Sequence, residues 1–264
     1  MKVDLLGVAV ENATMDEALR LLETWLRCRD RTRAVYFANA HTLNIAYSDH
    51  SYRLLLNRGD IVFGDGTGVR WAARFRGVEL RGNVNGTDLT PALLSTTQGH
   101  RLYVLGADPA SNRAAVDHLR RTFPAWEVVG HHHGYFRAPD PAPILDDIAR
   151  NQPDLLLVAM GNPLQERWID RHRPALDVPV VMAVGGLLDY CAGSIYRAPR
   201  WLRDLGMEWL HILWQQPHKT GRYLLGNPAF LYRALTAHRL SLGRTAKHPD
   251  QEPGRPSMTP QHMF

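Results

Sequence analysis

From Thr14 to about Cys28, apolar residues recur at spacings of three and four, placing Met15, Ala18, Leu19, Leu22, Trp25 and Leu26 on one face of an amphipathic helix. The pattern then changes to short, unbroken apolar runs. "RAVYFANA", "IVFGD", "HRLYVLGADP", "WEVVGHHHGYF", "PDLLLVAMG" and "VPVVMAVGG" each read as a strand, the fourth running on into a loop. Continuous rather than alternating apolarity predicts strands covered on both faces, as in parallel sheets. Helical patterns lie between them: His41 to about Asn57, a segment carrying Ala114, Val116 and Leu119, and "LQERWIDRHR", entered through the turn Asn162-Pro163. Strands alternating with helices predict right-handed crossovers and a Rossmann-like α/β fold, a mainly parallel sheet flanked by helices.

In such a sheet, ligands sit outside the carboxyl ends of the strands. That rule gathers Asn39, Asp65, Gly106, Ala107, Asp108, Gly134, Tyr135, Asn162 to Glu166, Gly185, Gly186 and Asp189 on one edge. Asp65 stands out within "IVFGDGTGVRWAARFRG" (61–77), where one carboxylate lies between two glycines at a strand-to-helix turn. An acid there is a helix cap, a ligand-binding group or a general base, and local spacing does not choose among them.

Composition narrows the partners. Apolar residues make up 45% of the 264 and charged residues 22%, ordinary for a globular chain with a substantial core. No apolar run approaches the roughly 18 residues needed to cross a bilayer, and the N-terminal "LLGVAV" is too short for a signal peptide. Cys28 and Cys191 lie far apart, as expected of reduced thiols in a cytosolic protein. A net charge of +5 calls for an anionic partner: nucleic acid, nucleotide phosphate or membrane. Much of that charge is C-terminal. From Arg197 to Lys247 there are nine Lys or Arg residues against two acids, Asp204 and Glu208, interleaved with Trp201, Trp209, Trp214, Tyr223, Phe230 and Tyr232. Cations mixed with large aromatics suit an anionic membrane surface. The expected organisation is an α/β core over 1–195, a basic-aromatic helical appendage over 196–243 and a disordered, proline-rich tail over 244–264.

The run His131-His132-His133 invites a metal reading, but consecutive residues on a strand point to opposite faces and rarely converge on one ion. No acidic pair stands near it, so no metal and no other cofactor are expected. Ser111 and the cysteines have no partnered base in view, which argues against nucleophilic catalysis.

Six blocks in order, "FANAHTLN", "DGTGVRWAARFRG", "NGTDL", "AMGNPLQERWI", "VGGLLDYCAGSIYRAPRWLRDLGMEWL" and "RYLLGNPAF", resemble the WecG/TagA/CpsF family of bacterial glycosyltransferases over roughly residues 1–240. The resemblance implies transfer of a sugar from a UDP-activated donor to a polyprenyl-diphosphate-linked saccharide, with inversion and without metal, in cell-surface polysaccharide synthesis. It implies Asp65 as catalytic general base. Asn39 would contact the sugar, Gln165 matches the substrate-binding glutamine after the small-residue turn, and Asp189 would lie near the nucleotide. Asn162, Glu166, Gly106, Tyr135, Gly185, Gly186, Arg197 and Arg222 complete the expected substrate-binding set. Two basic residues common in the family are absent, with Asn83 and Leu164 in their places, and Phe37 stands where Thr is commoner. Arg74, Arg81, Arg197 and Arg222 are the candidates to replace the missing charge. The expected partners are a UDP-sugar, a lipid-linked saccharide acceptor and an anionic membrane surface. A homo-oligomer is left open, and the expected location is the cytoplasmic face of the membrane, held peripherally. Two rival readings stay in view. A basic nucleic-acid module would explain the charge, but no helix-turn-helix, RRM or zinc-finger pattern is present. An NAD-linked oxidoreductase would explain the sheet, but no G-x-G-x-x-G opens a helix.

Overall fold

The computed structural model describes residues 1–135, 141–199, 202, 208–215 and 220–242; within these, the side chains of 208, 209, 212, 222, 223 and 238–242 are not described. The chain opens with β1 (Lys2–Leu5) and β2 (Val8–Glu11), then α1 (Met15–Leu26), β3 (Arg33–Ala38), α2 (Ala40–Ser48), α3 (His50–Arg58), β4 (Ile61–Gly64), α4 (Thr67–Phe75) and α5 (Gly86–Thr96). It continues through β5 (His100–Gly106), α6 (Pro109–Thr122), β6 (Trp126–His132), α7 (Ala142–Asn151), β7 (Leu155–Ala159), α8 (Leu164–His172), β8 (Val180–Ala183) and α9 (Leu187–Cys191). Three further helices follow: α10 (Glu208–Gln215), α11 (Thr220–Leu224) and α12 (Gly226–Leu242).

All eight strands form one sheet in the order β1-β2-β4-β3-β8-β7-β5-β6, parallel except for the β1–β2 hairpin. The mainly parallel α/β fold read from the apolar runs is the fold observed. Strand periodicity sorts side chains to two cores. Ala34, Tyr36 and Ala38 of β3 face a layer that includes α2, α3, α4, α7 and α8; Val35 and Phe37 face α1, α5, α6 and α9.

Three local expectations need correction. The expected single helix from His41 to Asn57 is two helices, because Asp49 is extended and its carboxylate accepts from Tyr52 N (3.0 Å) to start α3. An aspartate offers the backbone a cap in place of helix continuation. "LLGVAV", given no element by the apolar pattern, supplies a hairpin turned at Leu6-Gly7, both at positive φ. On α6 the buried face is Ala115, Val116 and Leu119, with Ala114 exposed.

The last helix belongs to the first core. α12 packs on α2 and α4, with Phe230 and Ala234 buried among their side chains. Asn44 Nδ2 donates to Gly226 O (2.7 Å), and Arg233 Nη1 donates to Asn44 Oδ1 (2.7 Å) while its guanidinium lies 4.8 Å from the Tyr47 ring centroid. The tail expected over 244–264 and the side chains of Arg222 and Arg239 lie outside the described residues.

Candidate active site

The strands β3 and β4 step to one side of the sheet and β5 and β6 to the other, with β8 and β7 between them. Loops leaving the carboxyl ends of β3, β5, β7 and β8 diverge there, where an open α/β sheet takes its ligand. They enclose a cleft of about 610 Å³ lined by Asn39, Asp65, Tyr135, Asn162, Gln165, Gly185, Gly186 and Asp189 of the expected set, with Phe37, Thr87, Asp108, Leu164 and Tyr190 among the other walls. A shallower depression of about 730 Å³ lies beyond the opposite strand ends, lined in part by Arg29, Arg31, Arg58, Arg173 and Asp170. Its arginines are committed to carboxylates: Arg29 to Asp154, Arg31 and Arg173 to Asp60, and Arg58 to Asp170. These charges are paired within the fold, and the residues expected to carry chemistry line the cleft instead.

Asp65 directly follows β4. Its N–H donates to Ala38 O (2.9 Å), extending the β3–β4 pairing by one residue to the cleft edge. Gly66 then turns at φ +93, a conformation favourable to glycine, and its N–H donates to Asn83 Oδ1 (2.8 Å). The N-cap of α4 is therefore Gly66, which supplies no side-chain cap bond. Asp65 precedes the N-cap and lines the cleft. Asn83, at a position where the family commonly carries a basic residue, holds this turn.

Several helices begin at the same edge. Asn39 caps α2, its Oδ1 accepting from His41 N, Thr42 N (both 3.0 Å) and Thr42 Oγ1 (3.1 Å), which leaves its Nδ2 to meet a ligand. Asp108 caps α6 through Ala110 N and Ser111 N, and its hydrogen bonds with Ser111 and the backbone hold its carboxyl below the usual carboxylate range. Gly86 and Thr87 begin α5, and Leu164 and Gln165 begin α8. Gly106 (φ +136) lets the β5 loop cross tightly over β7, since a Cβ there would stand 2.1 Å from Ala159 O. Helix N-termini present unpaired N–H groups and positive dipole ends, a setting for phosphate oxygens. Among the described residues no Lys or Arg lines the cleft.

Arginine placement departs from expectation. Arg197 does not line the cleft; it forks onto Asp88 at its lip, donates to Thr87 O and lies over the Tyr190 ring. Asn85 Nδ2 donates to the same carboxylate (2.7 Å), so "NGTDL" works as a clamp on the 195–199 segment. Arg74 pairs with Glu79 and Arg81 with Glu17, away from the cleft. Gly106 and Glu166 also stand behind the wall rather than in it. Glu166 is 1% exposed beneath the floor, with Oε1 accepting from Asn162 Nδ2 and Gln165 Nε2 (both 2.7 Å) and Oε2 accepting from Tyr52 OH (3.0 Å). Gln165 Oε1 in turn accepts from Gly185 N (3.1 Å), so its amide is spent on both sides. Tyr52 and Asp88 are functional neighbours that sequence reading missed. "NGTDL" held the signal for Asp88 as an Asx-type turn, whereas nothing in spacing links 52 to 166.

The histidine run makes ordinary contacts. His131 Nδ1 bonds Asn112 Oδ1 (2.6 Å) and His132 Nδ1 bonds His133 O (2.7 Å), and no group of three metal-ligating side chains is assembled among the described residues.

A doubly covered parallel sheet with a cleft at its carboxyl edge, lined by carboxylates and the starts of several helices, defines an α/β protein of Rossmann-like architecture. The chain belongs to the glycosyl transferase WecG/TagA/CpsF family, whose sequence profile matches residues 3–244. It is similar to the N-acetylglucosaminyldiphosphoundecaprenol N-acetyl-beta-D-mannosaminyltransferases of Staphylococcus aureus strains MRSA252 and NCTC 8325. Each is 31% identical over 241 residues, covering 90% of this chain and 94% of the relative. Membership decides among the readings left open by the sequence: this is a glycosyltransferase, not an oxidoreductase or a nucleic-acid module.

Proposed function

We propose that the enzyme moves a sugar of hexosyl or N-acetylhexosaminyl type from a UDP-activated donor to a polyprenyl-diphosphate-linked saccharide, with inversion and without metal. The activity for which the relatives are named narrows the acceptor class to N-acetylglucosamine on undecaprenyl diphosphate. Their β-linked product is what inversion of an α-linked nucleotide sugar yields. The observation that carries the reading is the position of Asp65 in the cleft wall, directly after β4 at the carboxyl edge of the sheet.

In the proposed step the acceptor hydroxyl attacks the anomeric carbon on the face opposite the nucleotide. Its proton passes to Asp65, the carbon–oxygen bond to the donor diphosphate breaks, and the electron pair leaves with that diphosphate. Negative charge then grows on phosphate oxygens, where the N–H groups left uncapped at the starts of α2, α5 and α8 supply compensation without a cation; those of α6 are already taken by Asp108. Asn39 Nδ2, Asn162 and Asp189 are the remaining polar groups for the sugar and nucleoside.

The test is transfer from radiolabelled UDP-N-acetylhexosamines and UDP-hexoses to N-acetylglucosaminyl-diphosphoundecaprenol, with and without EDTA. Labelled disaccharide-lipid at equal rates in both arms is the expected result. No product from any UDP-sugar overturns the donor class, and loss in EDTA restored by magnesium or manganese overturns metal independence.

A lipid-linked acceptor requires docking at the membrane surface, and no described helix is long and apolar enough to cross one. Trp214, Tyr232 and Leu235 are exposed on α10 and α12, and the sequence of the same segment is rich in Lys and Arg. The full chain should co-sediment with anionic vesicles, fall off at high salt and ignore neutral vesicles, since each Lys or Arg near such a surface contributes about 1 kcal/mol and salt screens it. Arg239→Glu with Leu235→Ala should weaken the binding. Equal binding to neutral vesicles, or none at all, would remove the docking role. Arg233, an obvious choice by charge, is a poor probe because Asn44 and Tyr47 already hold it.

A further inference from the structure

Beneath the cleft floor lies a buried carboxylate that the proposed chemistry does not use. Glu166 faces three donors and no cation: the Asn162 and Gln165 amides and the Tyr52 hydroxyl. A carboxylate accepts only, so while it is ionised both amides must turn their NH₂ groups down to it. The consequence at the surface differs for the two. Gln165 is left to accept from Gly185 N–H, which fixes the β8 loop. Asn162, half-buried and in the cleft wall, is left with its carbonyl oxygen as the group available to a ligand.

We propose that Glu166 is a positioning residue that sets the polarity of the cleft, holding Asn162 so that it meets the bound sugar nucleotide with an acceptor rather than a donor. The substrate group recognised is then a hydroxyl or amide N–H of the sugar or nucleoside. This rests on the donor reading above.

The same burial makes the device sensitive to pH. Loss of solvent pushes the Glu166 carboxyl up to about 7, its hydrogen bonds from Gln165, its own backbone, Tyr52 and Asn162 opposing the rise only in part. The other titratable groups around it are the phenols of Tyr52 on α3 and Tyr36 on β3, both pushed well above their ordinary range by burial and therefore neutral. Asp170, Arg58 and Arg173 reach Tyr36 from α8 and the edges of the fold, and Asp49 and Arg167 pair with each other at the surface. Protonation on Oε2 turns that oxygen into a donor to the Tyr52 hydroxyl, and Oε1, no longer part of a charged carboxylate, holds the two amides by weaker neutral hydrogen bonds, which loosens Asn162.

Two measurements test the proposal, one of them independent of any substrate. The side-chain NH₂ resonances of Asn162 and Gln165 in the free, ¹⁵N-labelled protein should shift with a midpoint near pH 7 and be flat in Glu166→Gln. In transfer assays, Glu166→Gln should raise the donor KM about tenfold with a smaller change in kcat, the cost of a mispaired buried polar group, and should flatten the KM-against-pH profile below 7. Glu166→Asp, which keeps an acceptor, should recover part of the loss. The melting temperature checks the fold. The folded state keeps a proton that the unfolded chain loses near 4.5, so wild-type stability should decline as pH rises from about 4.5 to about 7. Glu166→Gln should lack that decline. Resonances unmoved between pH 5.5 and 8.5, or a Glu166→Gln enzyme with wild-type KM and pH profile, would overturn the proposal. Resonances that titrate in a protein without UDP-sugar turnover would instead refute the donor reading and leave the network standing.

Discussion

Asp65→Asn should lower kcat for transfer by roughly 10²–10⁴-fold, the usual contribution of a general base, while UDP binding stays near wild type. The substitution keeps size and shape and removes the basic lone pair. The backbone around it has no reason to move, because Asp65 N–H still pairs with Ala38 O and Gly66 still caps α4. Loss in kcat with binding retained is the mark of a group needed only in the transition state. Asp108 provides the control. It stands on the same edge, but its carboxylate is spent on the α6 N-terminus, and asparagine caps as well as aspartate. Asp108→Asn should therefore retain most of the activity. A folded Asp65→Asn enzyme with near-wild-type turnover would deny the base role, and a large loss in Asp189→Asn would then transfer it to that cleft carboxylate.

The second large effect is on stability. Phe230→Ala should destabilise the protein by about 3–5 kcal/mol, as truncation of buried aromatic side chains does. In a chain of this size that lowers the melting temperature by roughly 6–20 °C. Phe230 is fully buried between α2 and α4, with its ring 3.5 Å from where a Cβ would stand on Gly68. Tyr232 on the same helix is 69% exposed, and Tyr232→Ala should change stability by less than about 0.5 kcal/mol. Differential scanning fluorimetry separates the two, and equal melting of Phe230→Ala and wild type would show that α12 is not part of the core. The result bears on function, because α2 and α4 start beside Asn39 and Asp65. Deleting everything after residue 195 would uncover that core as well as remove the basic face, so membrane docking is better tested by surface substitutions.

The alternation of apolar runs with three-four periodicity was enough to establish a parallel, doubly covered sheet, because covering both faces of a strand forces continuous apolarity whatever the tertiary details. The rule that ligands collect at strand carboxyl ends then brought Asn39, Asp65, Tyr135, Asn162, Gln165, Gly185, Gly186 and Asp189 to one cleft, since each immediately follows such a strand or begins the next helix. The polar–apolar pattern did not show that Asp49 breaks a helix, because a single cap inside an otherwise amphipathic stretch leaves the periodicity intact. Nor did it show what each polar group spends its hydrogen bonds on. Arg197 looked like a ligand contact by charge and is held by Asp88. Gln165 lines the cleft as its motif implied, yet its amide also ties Glu166 to the β8 loop, which no motif announced. Tyr52 and Glu166 are 114 residues apart. Only folding brings them together, because hydrogen-bond partnership depends on distances of about 3 Å between side chains, and those are set by packing across the sheet rather than by order along the chain.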